Sequence, residues 1–180
     1  AACSGFVYSL NIIKGMLQKD EYAILIGSEV ISKLIDWQDR GTCILFGDGA
    51  GAAIVEGSDN RLFYSYNNST GNEEALYCKG RTFNNETEGC LYMDGREVFK
   101  FAVDAINKSI ANLLSQSGLT LDEIDYVVCH QANYRIISHV YKKLKADPSK
   151  FFMNLQEYGN TSAASIPMAL SEMNEQGLLK

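Results

Sequence analysis

The 180-residue sequence contains no apolar run near the length of about eighteen residues that a membrane-spanning helix needs. It has no excess of basic charge. Acidic residues outnumber basic ones by 22 to 16, and the net charge of −6 argues against general nucleic-acid binding. It has no low-complexity tract and no long linker. With 46% hydrophobic and 21% charged residues, disorder, a collagen-like repeat and a disulfide miniprotein are all excluded. No pair among Cys3, Cys43, Cys78, Cys90 and Cys129 has C-x-x-C spacing, and their number is odd. A zinc ribbon or a thioredoxin-like redox pair is therefore not expected. No signal peptide or transit segment is visible. Sequons occur at Asn68, Asn85, Asn107 and Asn160, but nothing else points to secretion, and a reducing cytoplasm is the expected compartment. There is no initiator Met. Ala1-Ala2-Cys3 reads as mid-chain sequence, and Gly177-Leu178-Leu179-Lys180 stops without a closing element. The expectation is one domain, or one and part of another, with a core built to pack against further chain.

What is present is an alternation of helix and strand signals. Residues 4–18 carry Phe6, Leu10, Ile13 and Leu17 at helical spacing. Tyr22 to Gly27 and Thr42 to Phe46 are short continuous apolar runs, the pattern of buried strands. Ala52 to Glu56 and Leu62 to Tyr66 are further candidate strands, and residues 67–90 read as an irregular loop region. Val98 to Gln116 is helical, Tyr126 to Cys129 a buried strand, 134–145 a helix and Phe151 to Leu155 a strand. Thr161 to Gln176 starts a last helix, with Pro167 weakening its first part. The alternation predicts an α/β sheet covered on both faces.

Few residues can carry chemistry. Cys3 precedes a helical pattern, and a helix N-terminus offers unpaired N–H groups with about half a positive charge. That favours the nucleophilic thiolate, although a small buried cysteine is the plainer reading. There are only two histidines. His130 stands where a buried strand meets a loop, the usual place for α/β active-site residues, and Gln131, Ala132 and Asn133 follow it. A structural histidine bonded to backbone is the alternative. His139 falls within the next helix, on its surface. Asn160 lies in a turn before Thr161-Ser162-Ala163-Ala164-Ser165. It reads first as a turn or cap residue, and the small side chains suggest close backbone packing near a pocket.

Gly47-Asp48-Gly49-Ala50-Gly51-Ala52 formally fits a dinucleotide fingerprint. That motif must open a helix, whereas Ala53-Ile54-Val55 continues as a strand, so nucleotide binding is rejected. One charge feature stands out against the acidic total. Tyr126 through Ala146 contains no Asp or Glu, yet it holds Arg135, Lys142, Lys143 and Lys145. Arg135, His139, Lys142 and Lys143 fall near one helix face. The patch is either an ordinary solvated face or a docking surface for an acidic partner or phosphate.

Six stretches together resemble β-ketoacyl-acyl carrier protein synthase III, a thiolase-fold condensing enzyme. They are Ala1-Ala2-Cys3-Ser4-Gly5-Phe6, Asp39-Arg40-Gly41-Thr42, Phe46 through Ala53, Gly95 through Lys100, His130 through Ile137, and Tyr158 through Ser165. They run in family order over nearly the whole chain. The resemblance implies an α/β fold of thiolase-like αβαβα layers, incomplete at both ends. Residues 1–60 would be the C-terminal part of the first thiolase half, and 61–180 most of the second.

The same resemblance implies a Cys3, His130 and Asn160 triad. Cys3 would take an acyl group from acetyl-CoA or another short acyl-CoA. Malonyl-acyl carrier protein would then lose carbon dioxide and condense with the acyl-cysteine. No cofactor would be needed, since acyl-CoA is a substrate. Gln131, Arg135, Lys142 and Lys143 would meet acyl carrier protein, the lysines being an extension from charge alone. Arg40 and Gly41 would lie near CoA and Asn133 near its pantetheine arm, with Leu91, Met93, Gly95 and Phe99 along the channel. A homodimer is implied, with no nucleic-acid or membrane partner. An isolated 180-residue piece is expected to lack appreciable condensing activity.

Two other readings remain open at this point. One is a CoA-dependent polyketide- or alkylquinolone-type condensing enzyme with the same triad, against which the Arg135 patch argues. The other is a non-catalytic thiolase-like binding protein, against which the retained triad argues.

Overall fold

A computed structural model describes residues 1–59, 62–79 and 89–179. Its first helix, α1, spans Gly5–Met16 and buries Phe6. Strand β1 (Tyr22–Glu29) then pairs antiparallel with β2 (Gly49–Glu56), in a register running from Tyr22 opposite Glu56 to Glu29 opposite Gly49. A second antiparallel pair joins β3 (Leu76–Cys78) to β4 (Leu91–Met93). Helix α2 follows at Gly95–Ser117. Asp94 caps its start by accepting from the backbone N–H groups of Arg96 and Glu97, and Gly118 ends it in the left-handed conformation. Helix α3 is Tyr134–Leu144, α4 is the single turn Leu155–Tyr158, and α5 is Ser165–Glu175.

Two packed regions result. In one, Cys129, Ile137, Val140, Tyr141 and Phe151 form a buried cluster, with Ile106 and Ile110 of α2 against it. Burying such aliphatic and aromatic side chains is worth about 1.5–3 kcal/mol each, so this cluster anchors α3 beside the strand-end segment at 129–130. In the other, α5 and the 3₁₀ turn Ser162–Ala164 lie across β1 and β2. Gly27 and Gly51 face each other in the ladder. A Cβ on Gly27 would stand 2.6 Å from the Ala163 carbonyl oxygen, and one on Gly51 would stand 2.8 Å from the Met168 nitrogen. Only glycine permits so close an approach at this pair.

Several expectations need correction. Thr42 to Phe46 is wound into turns rather than extended. The Asp39 carboxylate accepts from the Gly41 N–H and the Thr42 hydroxyl, and only Phe46 forms a strand-like bridge, parallel to Asn160. Leu62 to Tyr66 is not a strand. Tyr126 to Cys129 and Phe151 to Leu155 meet through one parallel bridge, Val127 to Phe151, without a ladder. The loop region 67–90 contains β3, and its residues 80–88, with the Asn85 sequon, lie outside the described residues. Among the described residues the ladders are antiparallel, and β1–β2 is covered on one face only. Ile24, Ile26 and Ile54 remain 65–75% exposed on the other. The apolar run from Tyr22 to Gly27 records a strand built for two covered faces, of which the described residues cover one. Pro167 does no harm, because it occupies the third position of α5, where an N–H would have no helical acceptor.

Candidate active site

The Asn160–Ser165 segment is the organising element of the site. It leaves the α4 turn through Gly159 at φ +67° and is held to the chain after β1 by two backbone bonds. The Asn160 N–H donates to Leu45 O at 2.8 Å, and its carbonyl accepts from the Gly47 N–H at 3.0 Å. A Cβ on Gly47 would strike the Tyr158 carbonyl oxygen, which is why the fingerprint-like run needs a glycine there and no nucleotide explains it. Asn160 is buried. Its Oδ1 accepts from the Ser162 N–H at 2.9 Å, so its Nδ2 is left without a partner among the described residues. Ser162 takes a left-handed backbone conformation at φ +52°. Such strain in a non-glycine residue persists only where the surroundings hold it, and here they do. The Glu29 carboxylate at the end of β1 accepts from the Ser162 hydroxyl at 3.1 Å and from the Ala163 N–H at 3.4 Å.

Cys3 stands at the start of α1, just ahead of Ser4, with the Ser162 side chain close enough to act on its thiol. Close packing fixes this contact, since a Cβ on Gly5 would lie 3.3 Å from Ala163 Cβ. The position expected to favour the thiolate does not do so in the resting structure. Burial pushes the Cys3 thiol above its ordinary value and the Glu29 charge adds to this, outweighing the opposite influence of the nearby Ser162 side chain.

His130 sits at the other end of the same segment, three residues after the bridged Val127. Its Nδ1 is 2.7 Å from Ser165 Oγ. Burial pushes its pKa down to about 4, so the ring is neutral near pH 7. Its Nε2 has no partner among the described residues, like Asn160 Nδ2. One six-residue segment thus carries Asn160 and lies against Cys3 and His130, leaving one ring and one amide nitrogen unspent among the described residues. Cys129, directly before His130, is a core residue whose thiol burial raises to about 12. It is inert by comparison. Among the described residues no three His, Cys, Asp or Glu side chains are placed to hold a metal ion.

Two family models match this chain, each described as 3-oxoacyl-[acyl-carrier-protein (ACP)] synthase III. One covers residues 1–71 and the other, for the C-terminal part, residues 114–180. The chain is 48% identical to the β-ketoacyl-[acyl-carrier-protein] synthase III of Clostridium acetobutylicum, over all of this chain and 59% of the relative. The chain belongs to the β-ketoacyl-acyl carrier protein synthase III family. The crystal structure of the synthase III from Aquifex aeolicus VF5 superposes with a TM-score of 0.85 at 41% identity, covering all of this chain and 58% of that one. The Pseudomonas aeruginosa PAO1 structure gives 0.89 at 33% identity, again over 100% and 58%. The fold is therefore the thiolase-like α/β fold of synthase III, and the chain spans about three-fifths of the length of these relatives.

Against that synthase III fold, the other expected residues divide. Arg135, Lys142 and Lys143 are exposed on α3, and Lys145 follows it. Gln131 corrects the expectation. It is 1% exposed, and its amide is spent on backbone: Nε2 donates to Cys129 O and Phe152 O, and Oε1 accepts from the Asn154 N–H. A side chain so committed braces the strand end beneath His130 and offers nothing to a docked protein. Asn133 caps α3 by accepting from the Arg135 N–H at 2.8 Å. Phe99 of α2 packs edge-on against His139 of α3, with ring centres 5.7 Å apart. Met93 ends β4 and Gly95 begins α2. Arg40 and Gly41 lie exposed in the Asp39 turn. These channel and CoA candidates are not joined to the Asn160–Ser165 segment by any hydrogen bond among the described residues. Sequence reasoning passed over Glu29, Ser162 and Ser165. The only available signal was the polar end of an apolar run for Glu29, and serines among alanines for the other two.

Proposed function

We propose that this chain carries the condensing site of a β-ketoacyl-acyl carrier protein synthase III that initiates fatty acid synthesis. The observation that carries the proposal is the convergence of Cys3, His130 and Asn160 on the Asn160–Ser165 segment, with His130 Nε2 and Asn160 Nδ2 unspent.

The Cys3 sulfur attacks the thioester carbonyl of acetyl-CoA or another short acyl-CoA, and its proton passes to the departing sulfur, so that CoA leaves as the free thiol. The acyl-cysteine divides the reaction into two easier steps. Malonyl-acyl carrier protein then loses carbon dioxide, and negative charge develops on its thioester oxygen as the enolate forms. A neutral imidazole and a carboxamide both donate hydrogen bonds to such an oxygen. The depressed His130 pKa supports this role, because the ring stays uncharged at working pH. The enolate carbon attacks the acyl-cysteine and releases a 3-oxoacyl-acyl carrier protein. The scheme draws on no metal ion or redox cofactor. Acidic acyl carrier protein docks on α3 through Arg135, Lys142 and Lys143. Arg40, Gly41, Asn133, Met93, Gly95 and Phe99 lie along the CoA and acyl path. A homodimer and a cytoplasmic location complete the proposal. No helix among the described residues is long and apolar enough to cross a membrane.

Incubation of the full-length protein with radiolabelled acetyl-CoA tests the reading. Label is expected on wild-type protein and not on Cys3→Ala, and label that persists in the mutant removes the nucleophile assignment. His130→Ala and Asn160→Ala should keep most of the label while losing condensation by about 100-fold or more. Equal loss of both steps contradicts the assigned division of roles.

A further inference from the structure

Ser165 is 2% exposed and opens α5, so its hydroxyl has little access to water. Two groups reach its Oγ. The Gln131 N–H donates to it at 3.3 Å, and His130 Nδ1 lies 2.7 Å away. The hydroxyl carries one proton and can accept with two lone pairs. If His130 Nδ1 bore the ring proton and donated it to Ser165, the Ser165 hydroxyl proton would have no acceptor among the described residues. If Ser165 donates to Nδ1, every one of these groups is satisfied, and buried polar groups are nearly always satisfied. The distance agrees with this, since 2.7 Å is typical of an O–H donor and short for an N–H donor.

We infer that Ser165 is a positioning residue that fixes the His130 tautomer, holding the ring proton on Nε2, the nitrogen left free for the reacting oxygen. Neutral imidazole has one donor nitrogen and one acceptor nitrogen, so a hydrogen bond at one end dictates the chemistry at the other. Gln131 serves the same end. Its side chain holds the backbone on either side, which keeps its own N–H aimed at Ser165. The inference deepens the proposed function and rests on it for the meaning of a donating Nε2, but the proton's location is measurable without activity.

The test is ¹⁵N NMR of histidine-labelled full-length protein near neutral pH, with the His130 signals assigned by their loss in His130→Gln. In wild-type protein Nδ1 should resonate as an unprotonated imidazole nitrogen and Nε2 as a protonated one. In Ser165→Ala the Nδ1-protonated form should become populated. Condensation should fall roughly tenfold in kcat with little change in KM for acyl carrier protein, and acetyl labelling of Cys3 should persist. A wild-type ring protonated at Nδ1, or a Ser165→Ala spectrum identical to wild type, overturns the inference. Absence of acetyl label on wild-type Cys3 would overturn the functional reading instead, with the tautomer result standing on its own.

Discussion

Glu29 Oε1 lies 3.1 Å from Ser162 Oγ, tying the end of β1 to the segment that holds Asn160 and touches Cys3. The carboxylate therefore has two opposed effects. It secures a left-handed serine in place, and its charge disfavours the Cys3 thiolate.

Replacing that charge separates the two effects. Glu29→Gln keeps an oxygen to accept from Ser162 and Ala163 but removes the negative charge. The pH midpoint of Cys3 alkylation should stand above the ordinary cysteine value of about 8.5 in wild-type protein and move downward in the variant. Iodoacetamide kinetics across pH measure it, and an unmoved or higher midpoint in Glu29→Gln would contradict the electrostatic role.

His130 should make stability fall in mild acid. Its folded pKa is lowered, from 6.5 to about 4. Above 6.5 the ring is neutral whether the chain is folded or not, and the full stability is present. Between 6.5 and about 4 the unfolded chain binds a proton that the folded chain refuses, so stability drops as pH falls, by at most about 1.4 kcal/mol per pH unit. Urea unfolding of wild type against His130→Gln isolates this contribution. The gap between them should change across that window and stay constant above it. A constant gap throughout would show that the ring titrates normally.

Gly27 should tolerate no side chain. The added methyl of Gly27→Ala would meet the backbone carbonyl of Ala163, which has no flexible end to swing aside. Overpacking of this kind costs about 1–3 kcal/mol. The displaced segment also carries Asn160, so condensation should suffer beyond the loss of stability. Thermal unfolding and condensation assays on the folded fraction would check this, and full activity with unchanged stability would refute it.

Charge reversal on α3 should affect one substrate and spare the other. Arg135→Glu is expected to raise KM for malonyl-acyl carrier protein several-fold, with a weakened salt dependence, and to leave acetyl transfer from CoA nearly intact. An unchanged carrier-protein KM would remove Arg135 from the docking surface.

The long helices were legible because their signals are local. The 3.6-residue spacing of Phe99, Val103, Ile106 and Ile110 needs only a helix with one covered face, and α2 and α3 formed where that spacing ran. The strands at 42–46, 126–129 and 151–155 were less legible, because an apolar run states that a segment is buried and not that a neighbour pairs with it. Ahead of 42–46 the Asp39 side chain accepts from the Gly41 N–H and the Thr42 hydroxyl, while the Thr42 and Cys43 N–H groups bond back to the Asp39 carbonyl and turn the chain. Gln131 was misread for a similar reason, since its neighbours in the chain reveal nothing of the three backbone groups that consume its amide.

By itself the sequence determined the residue types of the site and their order, through motifs at Cys3, His130 and Asn160 that matched a known family. Those residues are 127 and 30 positions apart in the chain. What the tertiary structure alone decided is how they are held and in what protonation state. Ser162 and Ser165 act through contacts to Glu29, Cys3 and His130 that span 35 to 159 residues. Burial sets the ring neutral and the thiol reluctant. Desolvation and hydrogen bonding are properties of a folded environment, so no local pattern in the chain can announce them.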